Sequence, residues 1–196
     1  MSNFPDENEI KTIHKKYAPS VDAFNRIFTH CLIVWDIAKS IIEEKQLNVN
    51  VELVKAGCLL HDIGAYSLFK DGWFDENMYI THGIRGYDLL KTEGYDEQLC
   101  RIAAHHTGVG LSRDDIKQQN LPLPDQEFLA ETIEEELVMY ADKFHSKHPR
   151  FNSYESYRQT VAKFGEGKAK RFDELSSRFG IPDLRDLSKK YKQPLV

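Results

Sequence analysis

Val51-Glu-Leu-Val-Lys-Ala-Gly-Cys-Leu-Leu-His61-Asp62-Ile63-Gly64-Ala65 starts as an apolar helical run and ends on an imidazole beside a carboxylate. An apolar face has no packing use for that pair. Burying it is costly unless something neutralises or coordinates it. A divalent metal meets the need, because neutral imidazole nitrogen and carboxylate oxygen are both good ligands. A helix C-terminus meets it too, with Asp62 capping a turn and His61 at the negative end of the helix dipole. The pair alone leaves both readings open, and the flanking sequence has to choose.

The preceding segment, Val21 to Lys45, is helical in pattern. Ile27, His30, Val34, Ile37 and Ile41 fall on one stripe, with Phe28, Leu32, Trp35 and Ile42 beside it. So broad an apolar surface predicts a largely buried helix, with His30 inside it. Arg26 lies one turn earlier on the same side, where it could approach an anion. A short helix is expected before this one, from Glu7 to Tyr17, stopped ahead of Pro19.

After Gly64, read as a sharp exit from the helix, residues 67–79 predict a loop or lid rich in aromatics. Thr81 is a candidate N-cap for a helix from His82 to Glu93. Gly83 and Gly86 are poor helix formers and point to close backbone packing near His82. Asp96 can start the next helix, Glu97 to His106, which ends at Thr107-Gly108 on the adjacent pair His105-His106. Neighbours on a helix diverge by about 100°, so both can face one ion only near a helix end. Gly110 to Pro124 reads as a polar loop. Asp125 to about His145 reads as a long helix in which Asp142 closes an apolar face. Beyond it, Ser153 to Phe179 is helical with Tyr157, Val161 and Phe164 as core candidates, and Pro182 to Tyr191 could add a short helix. No repeat and no alternating strand pattern occurs, so the fold class is all-α.

The chain of 196 residues, 41% hydrophobic and 29% charged, is long enough for one domain with a buried core. The expected layout is a single domain over 1–196, with a core at about 21–146 and a helical extension at about 153–192. No apolar run approaches the roughly 20 residues of a membrane span, and Met1 to Glu7 lacks the basic, apolar start of a secretory signal. Cys31, Cys58 and Cys100 form no CxxC, which argues against zinc-finger chemistry and fits reduced thiols. A cytoplasmic protein without a membrane partner is expected. The net charge of −5 is uneven: 13 basic and 6 acidic residues from Lys143 onward, against 13 and 25 before it. That tail could draw phosphorylated ligands or nucleic acid. A solvated helical face explains most of it, so a nucleic-acid partner is not expected.

His30, His61, Asp62, His82, His105, His106 and Asp142 each fall at or near the end of an apolar helical segment. Singly each has a structural explanation; jointly they do not. In this arrangement, with His61-Asp62-Ile63-Gly64 present literally, the chain resembles the HD-domain superfamily of metal-dependent phosphohydrolases. The resemblance covers roughly His30 to Asp142, and the additional histidines are similar to those of its two-metal branch. It implies that His30, His61, Asp62 and Asp142 hold a first ion and His82, His105 and His106 a second, with Asp62 bridging. One or two divalent transition-metal ions per chain are expected, and mixed imidazole and carboxylate ligands suit Fe, Mn, Ni, Zn or Co without selecting among them. Asp62, Lys143 and Arg26 are the catalytic candidates, the last two as phosphate contacts, with Lys70 a weaker one. The sequence departs from many relatives at Ala65, where a Lys or Glu commonly serves phosphate binding or proton transfer. It also lacks the GYP extension of the cyclic-di-GMP phosphodiesterases. His145 is read as a surface residue one turn beyond Asp142, with an auxiliary role to the site as the other reading; His14 and His148 are read as surface residues.

The resemblance implies hydrolysis of a phosphomonoester or phosphodiester, with a nucleotide or similar small metabolite as substrate; a homodimer could form, but the sequence does not fix the oligomeric state. Tyr66, Phe69, Trp73 and Phe74 could stack on a base or simply pack the lid. The alternatives are a metal-containing ligand sensor without turnover, consistent with Ala65, and a di-iron HD oxygenase.

Overall fold

Polar capping residues cut the chain into helices. The computed structural model describes residues 4–70 and 72–196. Met1 to Asn3, part of the stretch read for a targeting signal, and Asp71, within the expected lid, fall outside them. Helix α1 (Glu7–Tyr17) begins in a capping box: Asp6 accepts from the Asn8 and Glu9 amides, and Glu9 accepts from the Asp6 amide. Helix α2 (Val21–Lys45) is capped by Ser20 and ends at Gln46, in the left-handed region at φ 49°. Helix α3 (Val51–Leu60) is capped by Asn50 and runs into a 3-10 segment, Ile63–Leu68. A small antiparallel hairpin follows, β1 (Phe69–Lys70) with β2 (Trp73–Phe74). Then come α4 (His82–Thr92) and α5 (Glu97–His105). Thr81 does not cap α4. A 3-10 turn leads straight into that helix, and the Thr81 hydroxyl donates to the Met78 carbonyl instead.

Residues 110–124 are not all loop: α6 (Arg113–Gln118) forms there behind a Ser112–Asp115 capping box. The long helix expected from Asp125 is shorter. Leu111 and Phe128 exchange backbone hydrogen bonds, which commits the preceding residues to irregular chain. Helix α7 (Ile133–Asp142) starts only at Thr132, whose hydroxyl accepts from the Glu135 amide. Three glutamates in its first turn suit the positive helix end. A second hairpin pairs β3 (His145–Ser146) with β4 (Arg150–Phe151). Helices α8 (Tyr154–Ala162) and α9 (Glu166–Phe179) are separated at Gly165, φ 119°, and α10 (Arg185–Tyr191) completes the helices. Among the described residues the only paired strands are these two hairpins, so the fold is all-α with an HD-like helical core.

Helices α2, α3 and α7 pack on one another, and α5 packs against α3 and α7. Their shared interior holds Ile33, Ile37, Leu59, Leu60, Val138 and Tyr140, all fully buried. Area removed from water on this scale is the main stabilising contribution. Phe172 of α9 stacks on Tyr154 and meets Tyr140, which docks the α8–α9 pair. Val161 is buried as expected, but Phe164 is 62% exposed, because it falls at the turn where α8 stops.

Gly64 has another use than a left-handed exit. It lies within the 3-10 segment, and a Cβ there would sit 2.2 Å from both the Gly86 amide nitrogen and the His82 carbonyl oxygen. Its bareness lets α4 press onto the His61–Gly64 turn, and Gly86 helps from the other side. The basic tail is largely neutralised: Arg158 pairs with Asp173, Lys168 with Asp115, Arg171 and Arg178 with Glu136, and Lys190 with Asp36. The three cysteines are free and buried. Among the described residues no helix is long and apolar enough to cross a membrane.

Candidate metal centre

Five helices meet at one place, four by an end and α2 by its middle, so His30 is not near a helix end as expected. His30 comes from the middle of α2, His61 and Asp62 from the end of α3, and His82 from the first residue of α4. His106 follows α5, and Asp142 closes α7. All six are buried.

The local backbone orients three of the imidazoles. A helix or turn end leaves carbonyls without partners. Here His61 Nδ1 lies 2.8 Å from the Cys58 carbonyl, His82 Nδ1 2.7 Å from that of Tyr79, and His106 Nδ1 2.8 Å from that of Ala103. A carbonyl only accepts, so each Nδ1 carries a hydrogen, and in the neutral ring that ligates a metal each Nε2 keeps the lone pair. Those Nε2 atoms converge. His82 and His106 Nε2 stand 2.9 Å apart, and His30 and His61 Nε2 3.2 Å apart.

Asp62 lies between the two pairs. Its Oδ2 is 3.3 Å from His30 Nε2 and 3.5 Å from His61 Nε2; its Oδ1 is 3.4 Å from both His82 and His106 Nε2. Asp142 Oδ1 joins the first pair, 2.9 Å from His30 and 3.4 Å from His61. Among the described residues no well-aligned donor reaches either Asp62 oxygen, and the side chain is fully buried. Imidazole nitrogens facing one another around a buried carboxylate, with the Lys147 ammonium 2.6 Å from one of its oxygens, make a site whose charge and donors suit a cation. The atoms form three sets within metal-bridging reach: His30-His61-Asp62, His61-His106-Asp142 and Asp62-His82-His106. These donors fit one or two divalent ions, with borderline N/O ligands in each set.

Charge agrees with this. Burial pulls the Asp62 carboxyl upward, but Lys147 and His61 outweigh it and hold it well below the usual range. Asp142 is held low in the same way by Lys143 and Lys147. Burial, with Lys147 nearby, pushes His30 down to about 3, and burial beside His106 pushes His82 down to about 3. Both are therefore neutral imidazoles at neutral pH, the form that ligates.

Not every expected residue arrives. His105 turns away, its Nδ1 3.2 Å from Glu135 Oε2, because successive residues at the end of α5 diverge. Lys143 is buried and donates to Asp142 Oδ2 at 2.6 Å and to the His106 carbonyl at 2.8 Å. Arg26 lies over the Trp73 ring at 4.3 Å and donates to the Lys147 carbonyl. Lys70 is exposed on β1, and Ala65 is fully buried. Tyr66 is no lid residue: its hydroxyl meets His14 Nδ1 at 2.8 Å inside the core. His14 is therefore buried rather than on the surface, its Nε2 2.7 Å from the Leu59 carbonyl. His145 is buried too, because β3 folds back over α2 and sets its Nδ1 2.8 Å from His30 Nδ1. His148 is exposed and lies against Trp73.

Lys147 escaped the sequence reading. It follows β3, outside any helical period, yet its Nζ reaches within 2.6 Å of Asp62 Oδ2. A charged residue five positions past Asp142 was the only available signal. Lys147 also divides two pockets. One of ≈ 390 Å³ is walled by Trp73, Tyr79, Asp142 and Tyr157, and one of ≈ 400 Å³ by Arg26, His30, Phe69 and Gln193.

Comparison with known proteins bears on the family and the fold. A family model described as HD domain matches residues 27–147. An uncharacterised protein of Methanocaldococcus jannaschii is 36% identical over 119 residues, 59% of this chain and 64% of that protein. Two proteins named tRNA (cytidine(56)-2′-O)-methyltransferase also match. The one from Thermoplasma volcanium is 34% identical over 70% of this chain and 36% of its own length; the one from Picrophilus torridus is 32% identical over 94% and 50%. The chain thus spans less than two thirds of the length of each of these relatives. The HD domain of the L. monocytogenes phosphodiesterase PgpH shares the fold, with TM-score 0.55 and 16% identity over 93% of this chain and 98% of that one. A second structure of that domain, in complex with cyclic-di-AMP, gives TM-score 0.53 and 15% identity over 94% and 97%.

Proposed function

The chain belongs to the HD-domain family, and from that premise we propose that it is a metal-dependent hydrolase of phosphate esters acting on a nucleotide or similar small metabolite. The observation that carries the reading is the division of Asp62: one oxygen toward His30 and His61, the other toward His82 and His106. A divalent ion held by such donors supplies Lewis acidity toward phosphate oxygens and acidifies a neighbouring water.

The side chains do the rest. Asp62 and Asp142 bring the negative charge that a cation needs, while burial keeps His30, His82 and His106 neutral. Lys147 is the cation placed to meet a substrate phosphate: it lines both pockets and a bound cation would take its place at Asp62, whereas Lys143 is held by both Asp142 and the His106 carbonyl. It would stand in for the group that Ala65 does not provide. Arg26 steadies this segment through the Lys147 carbonyl and Trp73. Trp73, Tyr79 and Tyr157 offer aromatic faces at the pocket, suited to a base and to excluding water. A pocket of ≈ 390 Å³ is within the range that takes ligands of nucleotide size.

The cyclic-di-AMP seen in the PgpH domain belongs to a protein that is 15% identical, so nucleotide recognition here is argued from the pocket. The methyltransferase names belong to proteins of which this chain spans 36% and 50%. We read the shared part as an HD unit within those longer chains.

The test is elemental analysis of protein purified without chelator, beside a panel of phosphomonoesters and phosphodiesters with added Mn²⁺. Bound transition metal with phosphate release is expected. Metal with phosphate affinity but no turnover would move the assignment to a sensor, and two irons with O₂ uptake to an oxygenase. Absence of metal after reconstitution would remove the proposal.

A further inference from the structure

His30 differs from the other imidazoles of the cluster. It sits in mid-helix, where carbonyls are already used, so no local carbonyl sets which nitrogen carries its hydrogen. Its Nδ1 faces His145 Nδ1 at 2.8 Å. Two imidazole nitrogens at that distance share one hydrogen, so the rings must hold opposite tautomers at this contact. His145 Nε2 is in turn 2.6 Å from Gln193 Oε1.

We propose that Gln193 is a positioning residue for the metal centre, acting through His145 to keep His30 Nε2 bare. The inference rests on the metal-site reading above. Gln193 Oε1 only accepts, so His145 carries its hydrogen on Nε2. His145 Nδ1 is then a lone pair, and His30 must donate to it from Nδ1. That leaves His30 Nε2 without hydrogen, directed at Asp142 and Asp62. With the amide reversed, every hydrogen in the row moves one place. His30 Nε2 would then carry a hydrogen and donate it to Asp142 Oδ1, 2.9 Å away, which is incompatible with ligation.

The fold holds this row firmly. Phe151 sits opposite His145 in the β3–β4 hairpin and opposite Leu195 on its other side. The Phe151 amide donates to the Pro194 carbonyl, the Val196 amide to the Phe151 carbonyl, and the Ser153 amide to the Val196 carbonyl. The Gln193 amide donates to the Ser188 carbonyl, and the Ser188 hydroxyl returns a bond to the Gln193 carbonyl. Lys190 and Tyr191 both bind Asp36, on the same helix as His30. The extension is thereby registered against the helix that it serves.

The test compares wild type, Gln193→Met and Gln193→Glu by Co²⁺ titration of metal-free protein, read by visible absorption. Methionine keeps the size but cannot accept strongly; glutamate only accepts and preserves the direction. Met should weaken Co²⁺ binding roughly 10- to 100-fold, the usual scale for losing a partner that orients a ligand. Glu should restore it to near wild type. Co²⁺ binding by Gln193→Met equal to wild type would overturn the inference while leaving the metal centre intact. So would equal losses in the two variants. Failure of wild type itself to bind Co²⁺ would strike the metal reading instead. Imidazole ¹⁵N shifts of wild type give a reading that needs no variant: His30 should be protonated at Nδ1 and His145 at Nε2, and the reverse pattern would refute the relay.

Discussion

Lys147 Nζ lies 2.6 Å from Asp62 Oδ2, on the carboxylate whose two oxygens face two separate pairs of imidazole nitrogens. Burial lowers the affinity of this ammonium for its proton, but Asp62 outweighs that and raises it well above the ordinary value. The lysine thus stands as a monovalent cation beside the atom that a divalent one would take.

Lys147→Met should therefore tighten Mn²⁺ binding, about tenfold for one charge removed at short range in a partly screened site. It should also lower phosphate-ester turnover, since the contact proposed for the substrate is gone. Calorimetric titration and steady-state rates check both. Unchanged or weaker Mn²⁺ binding would show that the ammonium does not compete at Asp62.

Metal stoichiometry should separate the adjacent histidines. Asp62→Asn should lose both ions, and His82→Ala or His106→Ala one. His105→Ala should keep the wild-type content, because that ring lies against Glu135. Elemental analysis of the four proteins decides; loss of an ion in His105→Ala would contradict the arrangement.

Acid stability should respond to His14. Burial holds this ring down to about 4, against 6.5 in an exposed chain, with the Leu59 carbonyl opposing the shift. Between those values the unfolded chain takes up a proton that the folded one refuses, so its contribution is complete above pH 6.5 and declines as pH falls toward 4. The slope is about 1.4 kcal/mol per pH unit for one such group. His14→Gln, which can still bond Leu59 and Tyr66 without titrating, should show a shallower loss of stability over that window in urea unfolding. Identical slopes would mean that His14 protonates freely in the fold.

Gly64→Ala should destabilise by about 3 kcal/mol or more, because the added carbon meets backbone at 2.2 Å on α4, which cannot rotate aside. Thermal unfolding measures this. A fall in melting temperature with metal content retained would mean that the HDIG glycine serves packing; an unchanged melting temperature would mean that α4 can lift away.

Residues 1–196 are proposed to unfold as one unit, since Tyr140 of α7 donates to the Gly180 carbonyl after α9 and stacks on Phe179. Urea transitions followed by far-ultraviolet and aromatic circular dichroism should coincide. Separate midpoints would divide the core from the extension.

The helices were legible wherever a cap stood next to a periodic apolar run. Val21–Lys45 and Glu7–Tyr17 appear at their expected bounds because Ser20 and Asp6 supply the missing acceptors locally. The stretch after Asp125 misled because its helical character is offset by a long-range pairing, Leu111 with Phe128, which no local pattern carries. His14 and His145 were misplaced for a related reason: each is buried by an element distant in sequence, and a lone polar residue does not announce its burial.

Which residues could form a metal centre was written into the chain, because imidazole and carboxylate at the ends of apolar helices have few other uses. Their grouping was not. Whether His105 or His106 faces the cluster depends on the rotation of α5 at its last turn, and the entry of Lys147 depends on a hairpin folding back over α2. The tautomer of His30 depends on Gln193, brought alongside by the pairing of residues 194–196 with Phe151. Side-chain identity is local information, whereas direction and the position of a hydrogen are set by the partners that tertiary packing brings within about 3 Å.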